Sequence, residues 1–290
     1  MRKIQKKMKK QTFNFTQFYT LRGDTIDISP KFLQWLIGFF EGDGHFDKKI
    51  FSITQSSSNL ETLDLIQTTL GLGNVYLHNT YTIQDGSERS THRFSTYADP
   101  FSAAQVALLF NGHLITDTKL TAFQTWFTEW ENNSEFMSLI GPNFILQDTP
   151  NLDLLSLDNG WLSGFIDADG CWNITLYKTP SKKNPVGQCR LAVACQIDHV
   201  WADNAIRFLK MGRKKNKNSN INQCWQVDKI ADMEDLIRYI GDFPHKTNKS
   251  ACFARFCEVR ISILNREHYG DGYETVKKAA SLINPFFVDR

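Results

Sequence analysis

The chain has 290 residues, 41% of them hydrophobic and 22% charged, with a formal net charge of +2. That balance suits an ordinary soluble globular protein of one large domain or two of common size, and no apolar run approaches the ~20 residues that a membrane-spanning helix needs. The six cysteines all lie in the second half with no CxxC pair, which argues against a zinc ribbon or thioredoxin-type centre and for free thiols in a reducing compartment.

The first ten residues, MRKIQKKMKK, hold six basic side chains and no apolar run behind them, so a secretory signal is not expected. An imported organellar presequence and a basic tail that touches polyanions both fit. Residues 1–30 are read as a basic extension and 31–131 as a first repeat. FLQWLIGFF predicts a helix, with Leu33, Leu36, Ile37 and Phe40 on one stripe. HFDKKIFSITQ reads as a hairpin about Asp47-Lys48, and NLETLDLIQTTLGLG as a helix stopped at Gly71. NVYLHNTYTI and HRFSTYA read as strands joined near Asp85-Gly86. SAAQVALLFNG and KLTAFQTWFTEW close the repeat as helices. Residues 132–157, polar and acidic, are read as a linker.

The second repeat, 158–290, follows the same order. GWLSGFI is helical, CWNITLYK and CRLAVACQI are strands, and ADNAIRFLKMG is a helix ending at Gly212. RKKNKNSNIN reads as a basic turn leading into the strand QCWQVDKI, followed by the helices MEDLIRYIGDF and SACFARFCEVRISIL. Charge is unevenly spread along this order. Leu120–Tyr177 has no Lys or Arg against eight acids, whereas Lys178–Lys217 has ten basic residues and two acids, Asp198 and Asp203. The near-neutral total thus conceals a basic stretch, either a nucleic-acid footprint or a solvated surface.

Residues 36–44 read LIGFFEGDG and residues 162–170 read LSGFIDADG, and each phrase opens an αββαββα series. Small residues recur in both at i, i+4: Gly38 with Gly42, Gly164 with Ala168. Glycine inside a helix costs roughly 0.5–1 kcal/mol relative to alanine, which close helix–helix contact would offset. The two copies are therefore expected to pack as a pseudo-twofold pair. Gly44 and Gly170 are expected to cap them in the left-handed conformation. Asp43 and Asp169, just before those glycines, put carboxylates at the negative end of the helix dipole. The same rule broken twice in one register points to function. Bound Mg²⁺ or Ca²⁺ would turn the repulsion into ligation, and two metal-bearing carboxylates on an axis suit hydrolysis of two phosphodiester bonds. The competing reading is an interface with acidic caps.

The two nonamers resemble the LAGLIDADG motif of homing endonucleases. The similarity runs from about Phe32 to about Leu264, through FLQWLIGFFEGDGHF, LFNGHL, WLSGFIDADGCWNI and FPHKTNKS. The spacing is similar to that of the two-motif, single-chain branch typical of organellar introns. What the resemblance implies is an α+β fold of two pseudo-symmetric αββαββα repeats, packed through the motif helices, with antiparallel sheets forming a saddle on DNA. It implies a site-specific double-strand DNA endonuclease that hydrolyses phosphodiester bonds with divalent metal ions and promotes intron mobility. The family also holds RNA maturases that assist splicing of their host intron, which is the alternative reading. By the same resemblance the cation is Mg²⁺, with Mn²⁺ or Ca²⁺ able to take its sites. The partner is a double-stranded DNA target, or host intron RNA in the alternative; no membrane is involved, the protein is a monomer, and it acts in the mitochondrion or chloroplast.

Carried over position by position, Asp43 and Asp169 are the catalytic metal ligands, joined by the carbonyls of Gly42 and Ala168, while Glu41 and Asp167 are not ligands. Gln55 and Gln196 match the strand-end glutamine that supports the water network. The basic catalytic candidates are Lys246 and Lys249 in PHKTNK and Lys119 in LITDTK. Thr116 stands where the second copy has Lys246, an asymmetry expected to make the two strand cuts unequal. For DNA contact, Lys178, Lys182, Lys183 and Arg190 surround one hairpin of the second half, and Arg213, Lys214, Lys215 and Lys217 lie near the other. Lys48 marks the first-half turn. Loop lysines suit phosphates, and arginines suit base edges. Gln55 falls 12 residues after Asp43 but Gln196 27 after Asp169, so the first half is expected to make fewer base contacts. Trp126, Trp130, Trp161 and Trp172 read as packing residues.

Overall fold

The computed structural model describes residues 11–23, 27–194, 200–217 and 222–284, with only the backbone for 216–217 and 222–223. The first half runs α2 (Pro30–Asp43), β1 (Gly44–Asp47), β2 (Ile50–Ser56), α3 (Leu60–Leu70), β3 (Asn74–Thr82), β4 (Glu88–Ser95), α4 (Pro100–Phe110) and α5 (Asp117–Thr128). The second runs α7 (Trp161–Asp169), β5 (Gly170–Tyr177), β6 (Val186–Ala194), α8 (Trp201–Leu209), β7 (Arg213–Lys217), β8 (Asn222–Val227), α9 (Ile230–Asp242) and α10 (Lys249–Leu264). Among the described residues, three helices lie outside this scheme: α1 (Thr16–Arg22), α6 (Ser134–Ile140) and α11 (Gly272–Ser281).

Each half carries a four-stranded antiparallel sheet of the same topology, β1-β2-β4-β3 and β5-β6-β8-β7. The α+β fold of two equivalent repeats is thus present. RKKNK, read from its composition as a turn, is instead the edge strand β7, paired with β8 from Arg213↔Gln226 to Lys217↔Asn222. Lys and Asn are poor strand formers, but charge on an edge strand blocks further pairing, so an edge is where such a sequence is tolerated.

The segments flanking the first repeat also pack. Helix α1 buries Phe18. Helix α6, inside the segment read as a linker, buries Phe136 and Ile140 and lies against α4. Gln147 then ties the chain down, accepting from the Gly112 N–H at 2.9 Å and donating to the Leu114 carbonyl at 3.1 Å. Residues 134–147 therefore belong to the first half's packing.

The two motif helices, α2 and α7, meet through their glycines. A Cβ on Gly38 would stand 1.9 Å from the Trp161 carbonyl oxygen, and one on Gly164 1.9 Å from that of Trp35. This reciprocity is the pseudo-twofold contact expected from the repeated small residues. The capping glycines differ from expectation. Gly44 (φ −81°) and Gly170 (φ −82°) are extended, not left-handed. Glycine is required there by space: a Cβ would lie 1.7 Å from a Phe40 ring carbon and 2.5 Å from Ile166 Cγ2, respectively. Around this pair one continuous apolar core runs through both halves, and Trp126, Trp130, Trp161 and Trp172 are all buried in it.

Candidate active site and nucleic-acid face

Helices α2 and α7 run side by side to their last residues, Asp43 and Asp169. The Asp169 carboxylate reaches across to α2: its Oδ2 is 3.3 Å from where a Cβ on Gly42 would stand. Asp43 accepts from Gln55 Nε2 at 2.7 Å. Burial raises the Asp43 carboxyl above its ordinary range, against the pull of Gln55, Lys249 and Lys119. Burial and the nearby Asp43 charge together push Asp169 up to about 6. Two carboxylates sharing a desolvated place repel each other, and each then ionises reluctantly.

Glu41 and Asp167, the first acids of the two motifs, turn the other way. Both are buried, and each takes an indole N–H from the opposite motif helix: Trp161 Nε1 donates to Glu41 at 2.8 Å, and Trp35 Nε1 to Asp167 at 2.8 Å. Each also receives backbone N–H groups from the loop before the half's last helix. Ile115 N (3.0 Å) and Thr116 N (2.7 Å) reach Glu41, and Lys246 N (2.8 Å) reaches Asp167. These acids pin the motif helices to those loops, and neither faces the Asp43–Asp169 centre. Nothing in the sequence reading gave them that role, although a tryptophan stands six residues before each acid.

The pinned loops deliver the lysines. Lys249 donates to the carbonyls of Asp167 (2.5 Å) and Ala168 (2.6 Å), and Lys119 to the carbonyl of Gly44. Desolvation lowers the affinity of both amines for their protons, while Asp43 and Asp169 work to keep them charged. Both lysines thus reach the backbone at the ends of the motif helices, Lys119 just after Asp43 and Lys249 just before Asp169. Lys246 does not join them; its ammonium lies 5.8 Å from the Trp35 ring centroid. Thr116 and Lys246, from which unequal cuts are expected, sit instead at Glu41 and Asp167 through their backbone N–H groups. Gln196 lies outside the described residues.

Away from the helices, strand alternation puts a polar face on each sheet. In the first, Thr54, Arg93 and Tyr76 stand in register across β2, β4 and β3, and Arg93 is braced by Thr54 Oγ1 (3.0 Å) and His78 Nε2 (2.9 Å). In the second, Arg190 donates to Thr175 Oγ1 at 3.0 Å, while Arg213 and Gln226 converge on Asp228. Lys48, Lys178, Lys182, Lys183 and Lys215 are exposed. The Lys178 ammonium sits 4.4 Å from the centroid of the Tyr273 ring on α11. Lys214 faces the helical layer, paired in register with buried Trp225 and bridged to Asp203 of α8 at 2.7 Å, so it is not on the polar face. Of Lys217 only the backbone is described.

The first-half hairpin β1–β2 is short, as its spacing predicts, with strands of 4 and 7 residues. Its second hairpin has strands of 9 and 8 residues. It carries Tyr76, Tyr81 and Arg89 exposed. The expectation of fewer contacts from the first half rests on β1–β2, and that hairpin is the shorter of its pair, against strands of 8 and 9 residues in β5–β6.

Residues 162–260 match the family model described as LAGLIDADG endonuclease. A probable intron-encoded endonuclease 4 of Neurospora crassa is 27% identical over 242 residues, which is 82% of this chain and 41% of that protein. A probable intron-encoded endonuclease Cox1-I1b of Schizosaccharomyces pombe is 29% identical over 190 residues, 58% of this chain and 48% of that protein. The chain thus spans less than half the length of these relatives. Among solved structures, the LAGLIDADG homing endonuclease I-SmaMI bound to cleaved DNA shares the fold with a TM-score of 0.65 at 17% identity, covering 89% of this chain and 98% of that one. I-SmaMI bound to uncleaved DNA with calcium gives 0.63 at 16% identity, covering 89% and 99%. I-CpaMI bound to uncleaved DNA gives 0.62 at 18%, covering 89% and 100%.

Proposed function

We propose that this chain, which belongs to the LAGLIDADG endonuclease family, cuts both strands of a specific DNA site with divalent cations held at Asp43 and Asp169. The observation that carries this reading is the pairing of those two carboxylates at the ends of close-packed helices, between two sheets with polar faces. Their donor set is oxygen only, which suits Mg²⁺, Mn²⁺ or Ca²⁺ rather than zinc. Among the described residues no group of three or more His, Cys, Asp or Glu side chains surrounds a common point. Water, phosphate oxygens and the carbonyls of Gly42 and Ala168 would complete the shell. The Ala168 carbonyl already accepts from Lys249, so a cation using that oxygen shares or displaces the ammonium.

A bound Mg²⁺ would supply positive charge at the scissile phosphates and acidify a water. The chain's own residues do the rest. Gln55 orients Asp43, and Lys119 and Lys249 place two ammonium groups beside the carboxylates, where phosphate charge must be met. Braced arginines such as Arg93 and Arg190 suit base edges in the major groove. Action on an organellar site lacking the host intron extends the same reading.

The test is Mg²⁺-dependent cleavage of a randomised plasmid library, with the products sequenced. A discrete double-strand site is expected, and Asp43→Asn and Asp169→Asn should each slow cleavage by about 10³-fold. Undiminished cutting by either variant would refute the assignment.

A further inference from the structure

A chain of hydrogen bonds leaves the first-half carboxylate and ends in the second half. Asp43 Oδ2 accepts from Gln55 Nε2 (2.7 Å), Gln55 Oε1 accepts from Asn59 Nδ2 (3.1 Å), and Asn59 Oδ1 accepts from the backbone N–H of Asn248 (3.0 Å). Asn248 directly precedes Lys249, whose ammonium holds the Ala168 carbonyl at 2.6 Å. The direction of the chain is dictated from one end. A backbone N–H can only donate, so it fixes the oxygen of Asn59. The Asn59 amide hydrogen then fixes the oxygen of Gln55, and the Gln55 amide hydrogen is left for Asp43. A side-chain amide would otherwise be free to turn either end to its neighbour.

We infer that Asn59 is a positioning residue: it keeps the Gln55 amide turned with its N–H toward Asp43 and links that setting to the loop of the opposite half that presents Lys249. The inference rests on the endonuclease reading above and deepens it. At the position that matches Asn59 the second half has no amide. Four residues after Gln196, where Asn59 follows Gln55 by four, the chain has Val200, whose side chain offers no hydrogen-bonding group. The two otherwise equivalent halves are therefore expected to differ in how their strand cuts respond to this position.

The substitution Asn59→Asp keeps an oxygen for the Asn248 N–H and removes the hydrogen that holds Gln55. Gln55 then turns its N–H to the new carboxylate and its oxygen to Asp43. The probe is a supercoiled plasmid bearing a duplex recovered from the library by wild-type cleavage, with nicks in each strand counted by primer extension. Loss of one charge-assisted hydrogen bond should slow one strand cut about tenfold and shift the strand ratio by the same factor. Thr62→Ala is the control: it removes a second bond between the halves, Thr62 Oγ1 to the Lys246 carbonyl (2.9 Å), and leaves the amide chain intact. It should keep the wild-type ratio. If Asn59→Asp does not fold, Asn59→Ala takes its place with the same expected shift. An unchanged ratio, equal slowing of both strands, or the same shift in Thr62→Ala would overturn the inference while wild-type cleavage stands. A wild-type protein that cuts nothing in the library would remove the endonuclease reading and the relay with it.

Discussion

Glu41 and Asp167 fill the same slot in the two halves and end on opposite sides of the ordinary carboxylate range. Burial pushes Glu41 up to about 7, despite its hydrogen bonds from Thr116, Ile115 and Trp161. Burial pushes Asp167 the same way, yet His245, Thr247 and the Lys246 N–H outweigh it and hold that carboxyl low. His245 stands 3.1 Å from Asp167 through Nδ1, and its Nε2 accepts from Trp172 at 3.1 Å. The residue in the matching place of the first half, one before Thr116 as His245 is one before Lys246, is the buried Ile115. The slot itself asks only for an acceptor of backbone and indole N–H groups. One neighbour decides whether that acceptor is comfortable as an ion.

The strongest way to break the comparison is to make the second half like the first. His245→Leu should leave buried Asp167 with only its Trp35, Lys246 N–H and Thr247 donors and cost about 3 kcal/mol at pH 8. The sign follows from linkage. A depressed carboxyl stabilises the fold above its unfolded pKa, and that contribution fades as pH falls through the folded value. At pH 4 that contribution is still present in the wild type, but in His245→Leu burial pushes the Asp167 carboxyl up so that it takes a proton, and the loss should shrink. Urea unfolding at both pH values checks this, and an equal loss at both would count against it.

The glycine contacts should show no such difference between halves. Gly38→Ala and Gly164→Ala each place a methyl 1.9 Å from a carbonyl oxygen of the partner helix, and each should cost about 3 kcal/mol in the same unfolding assay. A harmless alanine at either position would mean that the helices do not meet as closely as described.

A smaller effect of opposite sign is expected at the carboxylate pair. A rise of the Asp169 pKa from 3.8 to about 6 means that its folded-state contribution, present below 3.8, is lost as pH climbs through about 6. In metal-free buffer at pH 8, Asp169→Asn should therefore stabilise the protein, by about 1–3 kcal/mol. The gain should vanish at pH 4, and excess Mn²⁺ at pH 8 should cancel it by stabilising only the wild type. A variant less stable than wild type at pH 8 in chelator would contradict the repulsion argument.

The least effect belongs to the sheets. Arg93→Ala and Arg190→Ala should each weaken binding of the target duplex by about 1–2 kcal/mol, roughly equally for the two half-sites. A loss confined to Arg190→Ala in a gel-shift titration would support the idea of a weakly reading first half.

Much of this was legible in the sequence because it rests on local pattern. The apolar stripe of α2, the repeated small residues and the twin acids announced a helix pair with carboxylates at its end. The capping glycines were identified for the wrong reason, since crowding by Phe40 and Ile166 side chains has no signature in a propensity rule. Strand β7 was hidden because RKKNK pairs by virtue of being an edge, a fact of sheet topology. The division of labour between Lys249 and Lys246 was illegible: it depends on Asp167 gripping the Lys246 N–H and turning the next helical positions inward. Asn59 gave no signal at all, because its partners, Gln55 and Asn248, are brought together only by the packing of the two halves.

The central claim is that Asp43 and Asp169 form one cation-binding centre. Calorimetric titration of the metal-free protein with Mn²⁺ at pH 7.5 tests it most directly. Binding is predicted for the wild type, weakening as pH falls through about 6 with protonation of Asp169, and it should be lost in Asp43→Asn and in Asp169→Asn alike. Wild-type Mn²⁺ affinity in either variant would contradict the account.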